Sequence, residues 1–118
     1  DILGCENRGY EPEELGTVVE VIPESATNPI LKGVDATDWK SKGQVYKVNQ
    51  LTDSKTTTLL RGHPGGVEAT QPIAWTRLTA HKSRVFYTSL GYPDDFRVEP
   101  YRKLLINAIH WALEMEIK

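Results

Sequence analysis

The chain has 118 residues, of which 39% are hydrophobic and 25% are charged, and its formal net charge at pH 7 is −2. This balance predicts one globular domain over residues 1–118 and argues against a disordered or fibrous chain. The slightly acidic charge and the scatter of Lys and Arg predict no nucleic-acid or anionic-membrane partner. Because Cys5 is the single cysteine, an intrachain disulfide is excluded.

The cellular compartment stays open between the cytoplasm and export. No apolar stretch of the sequence approaches the length of about 20 residues that a membrane-spanning helix needs. The chain begins at Asp1 with neither a Met nor a signal-like leader, so we expect the middle of a longer sequence at this point.

The first half of the chain predicts two strands among turns. Residues 1–16 are polar and suit one short helical turn. Residues 17–22 are β-branched and stop at a proline, which predicts the first strand. After the turn-rich connection 25–33, Val and Lys alternate over residues 45–48 and predict a half-exposed strand.

The next segment predicts three more strands. Residues 56–61 have strong β-propensity and run into residues 62–66, whose three glycines and one proline predict a loop. Residues 72–78 and 84–90 are two further strands. Their connection, residues 79–83, is short enough for an antiparallel hairpin.

The closing helix is the clearest element of the sequence. Apolar residues recur at helical spacing from Tyr101 to Met115, and Glu99 with Pro100 suits the N-terminal turn of a helix. Four or five strands and one helix predict an α/β layer arrangement with antiparallel pairing near the C-terminal end.

Five stretches of the chain resemble ThuA-like (trehalose-utilisation-type) domains. The C-terminal ones are PIAWTR at residues 72–77, RVFYTSLG at 84–91 and LLINAIHWAL at 104–113. Two weaker ones are LGCENRGY at 3–10 and NPILKGV at 28–34. The resemblance implies the C-terminal portion of a domain related to class I glutamine amidotransferases. Its sheet would be a partial flavodoxin/amidotransferase-like mixed sheet with a C-terminal antiparallel hairpin and a packed C-terminal helix.

The chain departs from the family pattern at five positions. Tyr10, Asn28 and Tyr92 stand where the family often has His, Gln71 replaces an acidic residue, and Ser83 replaces a hairpin Gly. If those histidines act in acid/base chemistry or metal binding, this chain has lost that capacity.

A ligand site is predicted at the loop that follows the last strand, because ligands of open α/β sheets gather beyond the carboxyl ends of strands. There, aspartates would accept hydrogen bonds from sugar hydroxyls and an aromatic ring would stack beneath the sugar. The competing interpretation is a solvated Pro-Asp-Asp turn and a core tryptophan. The candidate ligand-binding residues are Tyr92, Asp94, Asp95, Trp75 and His63.

The sequence predicts neither a metal site nor a cofactor. His63, His81 and His110 have spacings that match no compact metal motif, and no second cysteine assists them. Cys5 follows no predicted strand in this chain, so it does not resemble the nucleophile of a glutamine amidotransferase.

Two functions remain as alternatives. The resemblance implies a domain related to trehalose-type sugar utilisation that binds sugar or another small ligand, with its chemistry undefined and its status as an enzyme open. The alternative is a non-catalytic truncated module that acts through self-association or through a protein partner. If the chain is complete, an exposed edge strand predicts a homo-oligomer.

Overall fold

A computed structural model describes residues 2–48 and 54–118 of the chain. Within these residues the regular elements are seven strands and one α-helix: β1 Asn7–Tyr10, β2 Thr17–Val21, β3 Lys40–Ser41, β4 Tyr46–Val48, β5 Thr56–His63, β6 Gln71–Leu78, β7 Arg84–Thr88 and α1 Glu99–Ala112. Short 3₁₀ turns lie between them at Glu13–Leu15, Pro23–Ser25, Pro29–Leu31 and Pro93–Arg97.

Five strands form one antiparallel sheet in the order β3-β2-β5-β6-β7. β6 and β7 pair in continuous register from Ala74 opposite Thr88 to Leu78 opposite Arg84, so the predicted C-terminal hairpin is confirmed. The strands predicted at residues 17–22, 56–61 and 72–78 are confirmed as β2, β5 and β6.

Helix α1 packs on one face of this sheet, as its apolar periodicity predicts. Tyr101, Leu104 and Ala108 are buried against Ile73 and Ala74 of β6. The remaining members of this core come from β2, β5 and the 3₁₀ turn Pro29–Leu31 and its surroundings: Val19, Leu59, Leu60, Ile30, Leu31 and Trp39.

The helix is shorter at its C-terminal end than the sequence predicts. It ends at Ala112, and Met115 lies beyond it with an exposed side chain. Glu114 adopts a positive φ of 58° and donates its N–H to the carbonyl of Trp111. The left-handed conformation of Glu114 ends the helix. The helical spacing of Met115 relative to the apolar residues before it therefore does not correspond to a continued helix.

Asn107 joins the helix to the connection that follows β2. Its buried amide donates to the carbonyls of Ile30 at 2.8 Å and Lys32 at 2.9 Å. The side chain of Asn28 in turn accepts from the N–H of Ile30 at 3.0 Å. Hydrogen bonds therefore join two of the stretches that resemble the ThuA-like pattern, residues 28–34 and residues 104–113.

The N-terminal segment lies on the face of the five-stranded sheet that α1 does not cover. A separate two-stranded sheet, formed by β1 and β4, contacts the five-stranded sheet through β4 and β6. Here Trp75 of β6 is fully buried, stacks on Tyr87 of β7 at 4.0 Å and donates to the carbonyl of Leu3 at 2.9 Å. Strand β1 lies in the polar stretch 1–16, for which no strand is predicted. Its four residues are all exposed, so no apolar alternation marks it.

The loop predicted at residues 62–66 begins two residues later than expected. β5 continues through Gly62 and His63, which pair with Val19 and Val18 of β2. A Cβ at Gly62 would lie 2.7 Å from the Cγ2 atom of Thr17. The glycine thus permits close packing within the sheet, and a loop prediction based on its composition alone is wrong at this position.

The α/β class, the C-terminal hairpin and the packed C-terminal helix are confirmed. Strand pairing among the described residues is antiparallel. The relation to the amidotransferase-like sheet stays a prediction.

Candidate ligand-binding site

The loop after β7 turns sharply and enters a 3₁₀ turn. Strand β7 ends at Thr88, Gly91 takes a φ of 133°, and Pro93 opens the 3₁₀ turn Pro93–Arg97. A φ in this range is open to glycine and costly for other residues. Proline then sets the φ required at the start of the turn. The sequence Gly-Tyr-Pro therefore fixes the direction in which Tyr92 leaves the sheet.

Asp95 holds this loop from inside the protein. Its buried Oδ2 atom accepts hydrogen bonds from the N–H groups of Gly91 and Tyr92, each at 2.9 Å, and from the hydroxyl of Ser41 at 3.0 Å. The carboxylate is thereby directed at protein donors. We assign Asp95 a positioning role and leave it out of the set that contacts a ligand.

Asp94 lies on the surface and pairs with a different segment. Its carboxylate is 2.7 Å from the ammonium of Lys42. The hydrogen bond and charge of Lys42 lower the pKa of Asp94 below its ordinary value, and Asp94 correspondingly raises the pKa of Lys42. The pair connects the loop after β7 to the residues between β3 and β4.

Tyr92 stands between two clefts. The first, which we call the Tyr46–Tyr92 cleft, has a volume of about 390 Å³. It lies between the segment before β4 and the loop after β7. Its lining includes Gly43, Gln44, Tyr46, Ser89, Gly91 and Tyr92. Two tyrosines, a hydroxyl and a carboxamide are thus brought to one concave surface.

The second cleft lies on the other side of Tyr92 and is more strongly charged. We call it the Lys40–Lys42 cleft; its volume is about 530 Å³. Thr17, Gly65 and Glu14 contribute to its walls. Its charges are of both signs, because Lys42 is paired with Asp94 and Glu14 lines the cleft together with Lys40.

Tyr46 is a site residue that the sequence interpretation did not single out. Its ring meets the ring of Tyr10 edge-on, with the centroids 6.2 Å apart. A signal was available, because Tyr46 is the one aromatic residue in a strand predicted to be half exposed. What the sequence alone could not show is that this strand lies across from Tyr92.

Trp75 and His63 are placed away from these linings. Trp75 is fully buried beneath Tyr87, and its ring therefore contributes to the protein interior. His63 is half-buried; its Nδ1 atom is 3.0 Å from the carbonyl of Pro64, and its Nε2 atom is 3.8 Å from the carboxylate of Glu20. Of the five predicted ligand residues, Tyr92 lines both clefts and Asp94 reaches the second through Lys42.

The described ranges contain no group of three or more His, Cys, Asp or Glu side chains placed to hold a metal ion. No helix in residues 2–48 or 54–118 has both the length and the apolar character to cross a bilayer. Cys5 is half-buried, and burial raises the pKa of its thiol, which keeps the reactive thiolate scarce.

A comparison with protein-family models assigns the chain to a family. The model for ThuA, described as trehalose utilisation, matches residues 1–112. The chain belongs to the ThuA family. The match covers the hairpin, the helix and both sides of the Tyr46–Tyr92 cleft, and it confirms the resemblance seen in the sequence. Membership suggests a role for this ThuA domain in trehalose utilisation. Searches of curated proteins and of solved structures found no match.

Proposed function

We propose that this ThuA domain binds a trehalose-type sugar in the Tyr46–Tyr92 cleft. The observation that carries the proposal is that Tyr46 and Tyr92, from distant parts of the chain, line one cleft together with Gln44 and Ser89. The cleft volume of about 390 Å³ falls within the range of about 300–1,000 Å³ that is usual for small-ligand sites.

The residue types suit the two kinds of surface that a sugar presents. A pyranose ring has faces of C–H groups, which pack against aromatic rings, and a rim of hydroxyls, which need hydrogen-bond partners. Tyr46 and Tyr92 supply the rings. The amide of Gln44 and the hydroxyl of Ser89 each both donate and accept hydrogen bonds, as a sugar hydroxyl requires.

The loop that carries Tyr92 is held in place before any ligand arrives. Asp95 accepts hydrogen bonds from the backbone N–H groups of Gly91 and Tyr92, and Lys42 pairs with Asp94. A site whose backbone is already fixed loses less conformational freedom on binding. In this proposal Asp94 and Asp95 position the aromatic ring, and Tyr92 contacts the sugar.

Calorimetric titration with trehalose tests the proposal, with maltose and glucose as comparison sugars. We expect trehalose to bind, and Tyr92→Ala to weaken binding by about tenfold or more, which corresponds to about 1.4 kcal/mol for the loss of a stacking ring. Tyr92→Phe keeps the ring and should retain most of the affinity. Phe96→Ala removes another exposed aromatic side chain outside both cleft linings and serves as the matched control.

Two results would contradict the proposal. One is the absence of binding heat with every sugar at millimolar concentrations. The other is binding that Tyr92→Ala and Phe96→Ala weaken equally, because it would move the sugar away from the cleft.

A further inference from the structure

The two clefts beside Tyr92 adjoin each other. Lys42 lines the Lys40–Lys42 cleft, Gly43 lines the Tyr46–Tyr92 cleft, and Tyr92 lines both. Consecutive Cα atoms lie about 3.8 Å apart, so the two linings meet between neighbouring residues of the chain. A ligand that extends past Tyr92 from one cleft therefore enters the other.

The lack of a side chain at position 43 allows this close arrangement. A Cβ at Gly43 would lie 3.4 Å from the Cβ of Tyr92 and 3.3 Å from the Oγ of Ser41. The backbone of residue 43 therefore packs directly against the base of the Tyr92 side chain. This backbone and this side chain together form the wall between the two clefts.

Hydrogen bonds hold the wall in one arrangement. The hydroxyl of Thr17 donates to the carbonyl of Gly43 at 2.8 Å, and the N–H of Gly43 donates to the hydroxyl oxygen of Ser41 at 3.0 Å. Ser41 in turn donates to the same Asp95 oxygen that accepts from the N–H of Tyr92. The two clefts are thus fixed relative to each other before a ligand binds, which lowers the entropic cost for a ligand that uses both.

The Lys40–Lys42 cleft suits a neutral ligand that carries hydroxyls. Glu14 and Lys40 line it with exposed side chains, which supply acceptors and donors, respectively. A sugar hydroxyl both donates and accepts, so it can bind either side chain. Lys42 is paired with Asp94 at 2.7 Å, and the charges of Glu14 and Lys40 offset each other. The cleft therefore has no excess positive charge that would select a phosphate or a carboxylate.

The Tyr46–Tyr92 cleft offers polar partners for part of a disaccharide. Its hydrogen-bonding side chains include those of Gln44 and Ser89. Trehalose carries hydroxyls on both of its rings, and the rings are joined through a single oxygen atom. When one ring packs against the tyrosines, the other stays close to Tyr92, where the Lys40–Lys42 cleft of about 530 Å³ begins.

We propose that the two clefts are two subsites of one site for a neutral disaccharide. One ring occupies the Tyr46–Tyr92 cleft, the second ring occupies the Lys40–Lys42 cleft, and the glycosidic oxygen lies beside Tyr92. In the second subsite, Lys40 donates to ring hydroxyls and Glu14 accepts from them. This inference rests on the proposed function, because that function places the first ring.

Two linked rings bind more tightly than one. Once the first ring is bound, the second ring reaches its subsite at a high effective concentration. We therefore expect trehalose to bind at least about tenfold more tightly than glucose. Trehalose with a phosphate on one primary hydroxyl should bind no more tightly than trehalose itself.

Calorimetric titration of four variants with trehalose and with glucose tests the second subsite. Lys40→Met keeps most of the side-chain stem but removes its donors, and Glu14→Gln keeps the size but removes the negative charge. Each should weaken trehalose binding by about fivefold and lower the ratio of trehalose to glucose affinity. Lys103→Met on α1 and Glu24→Gln after β2 are the matched controls outside both cleft linings, and they should leave this ratio unchanged.

The outcomes separate this inference from the proposed function. If Tyr92→Ala weakens trehalose binding but Lys40→Met and Glu14→Gln leave the affinity ratio unchanged, the second subsite is overturned and the proposed function stands. Glucose binding as tightly as trehalose would overturn it as well. Tighter binding of the phosphorylated trehalose would contradict the assignment of a neutral ligand. No binding of trehalose at all would overturn the proposed function itself.

Discussion

Two neighbouring aspartates of the loop after β7 have opposite structural roles. Asp95 is 1% exposed and accepts three hydrogen bonds, whereas Asp94 lies at the surface beside Lys42. We expect Asp95→Ala to lower the free energy of unfolding by about 3 kcal/mol, because it leaves buried donors without an acceptor. Urea unfolding measures this loss.

Asp94→Ala is the matched control for that substitution. It removes a carboxylate from the adjacent position, but exposed ion pairs contribute little to stability. Its urea midpoint should stay close to that of the wild type. Equal destabilisation by both substitutions would show that the burial of Asp95 is not what holds the loop.

The sequence predicts a ligand site at the loop after β7, but it does not predict that Asp95 is buried while Asp94 is at the surface. Adjacent carboxylates look alike in a sequence. Asp95 accepts from two local N–H groups, those of Gly91 and Tyr92, and from the hydroxyl of Ser41, which is 54 residues away. Tyr46 is missed for the same reason: its neighbour across the cleft, Tyr92, is distant in the chain. The role of a residue that contacts a distant part of the chain is visible only once the fold is known.

At the scale of elements, the close approach of β2 and β5 depends on Gly62. A methyl group there would meet the Cγ2 atom of Thr17 at 2.7 Å and side-chain atoms of Ile73 at 3.1 and 3.2 Å. We expect Gly62→Ala to destabilise the fold by about 1–3 kcal/mol through overpacking. Thermal or urea unfolding of the variant measures this cost.

Thr17→Ser in the Gly62→Ala background checks the cause. Serine lacks the offending methyl group but keeps the hydroxyl, which donates to the carbonyl of Gly43 at 2.8 Å. The double variant should recover part of the lost stability, since the contact with Ile73 remains. If the double variant instead loses the sum of the unfolding free energies lost by the two single variants, the clash with Thr17 is not the source of the effect.

The success of element prediction follows the strength of the local signal. β2, β5, β6 and β7 are β-branched or aromatic runs, and their strand character is visible in the sequence. β1 and β3 have four and two residues and gain their structure from pairing with partners far along the chain. The loop predicted at Gly62 fails because glycine composition does not distinguish a turn from close packing.

At the scale of the whole molecule, the sheet separates two packed layers. Helix α1 covers one face, and the N-terminal segment covers Trp75 on the other. The Tyr46–Tyr92 cleft lies where the segment before β4 meets the loop after β7. The resemblance to ThuA-like domains predicted the family and the C-terminal packing, while the cleft required the complete chain path.

The central claim is that a trehalose-type sugar occupies the Tyr46–Tyr92 cleft. The most direct test is a titration with trehalose followed by proton–nitrogen correlation spectra of the labelled protein. We expect the largest shifts at the backbone amides of Gly43, Gln44, Ser89 and Gly91, with little change along α1. Saturable shifts confined to other surfaces, or spectra unchanged by trehalose, would contradict the claim.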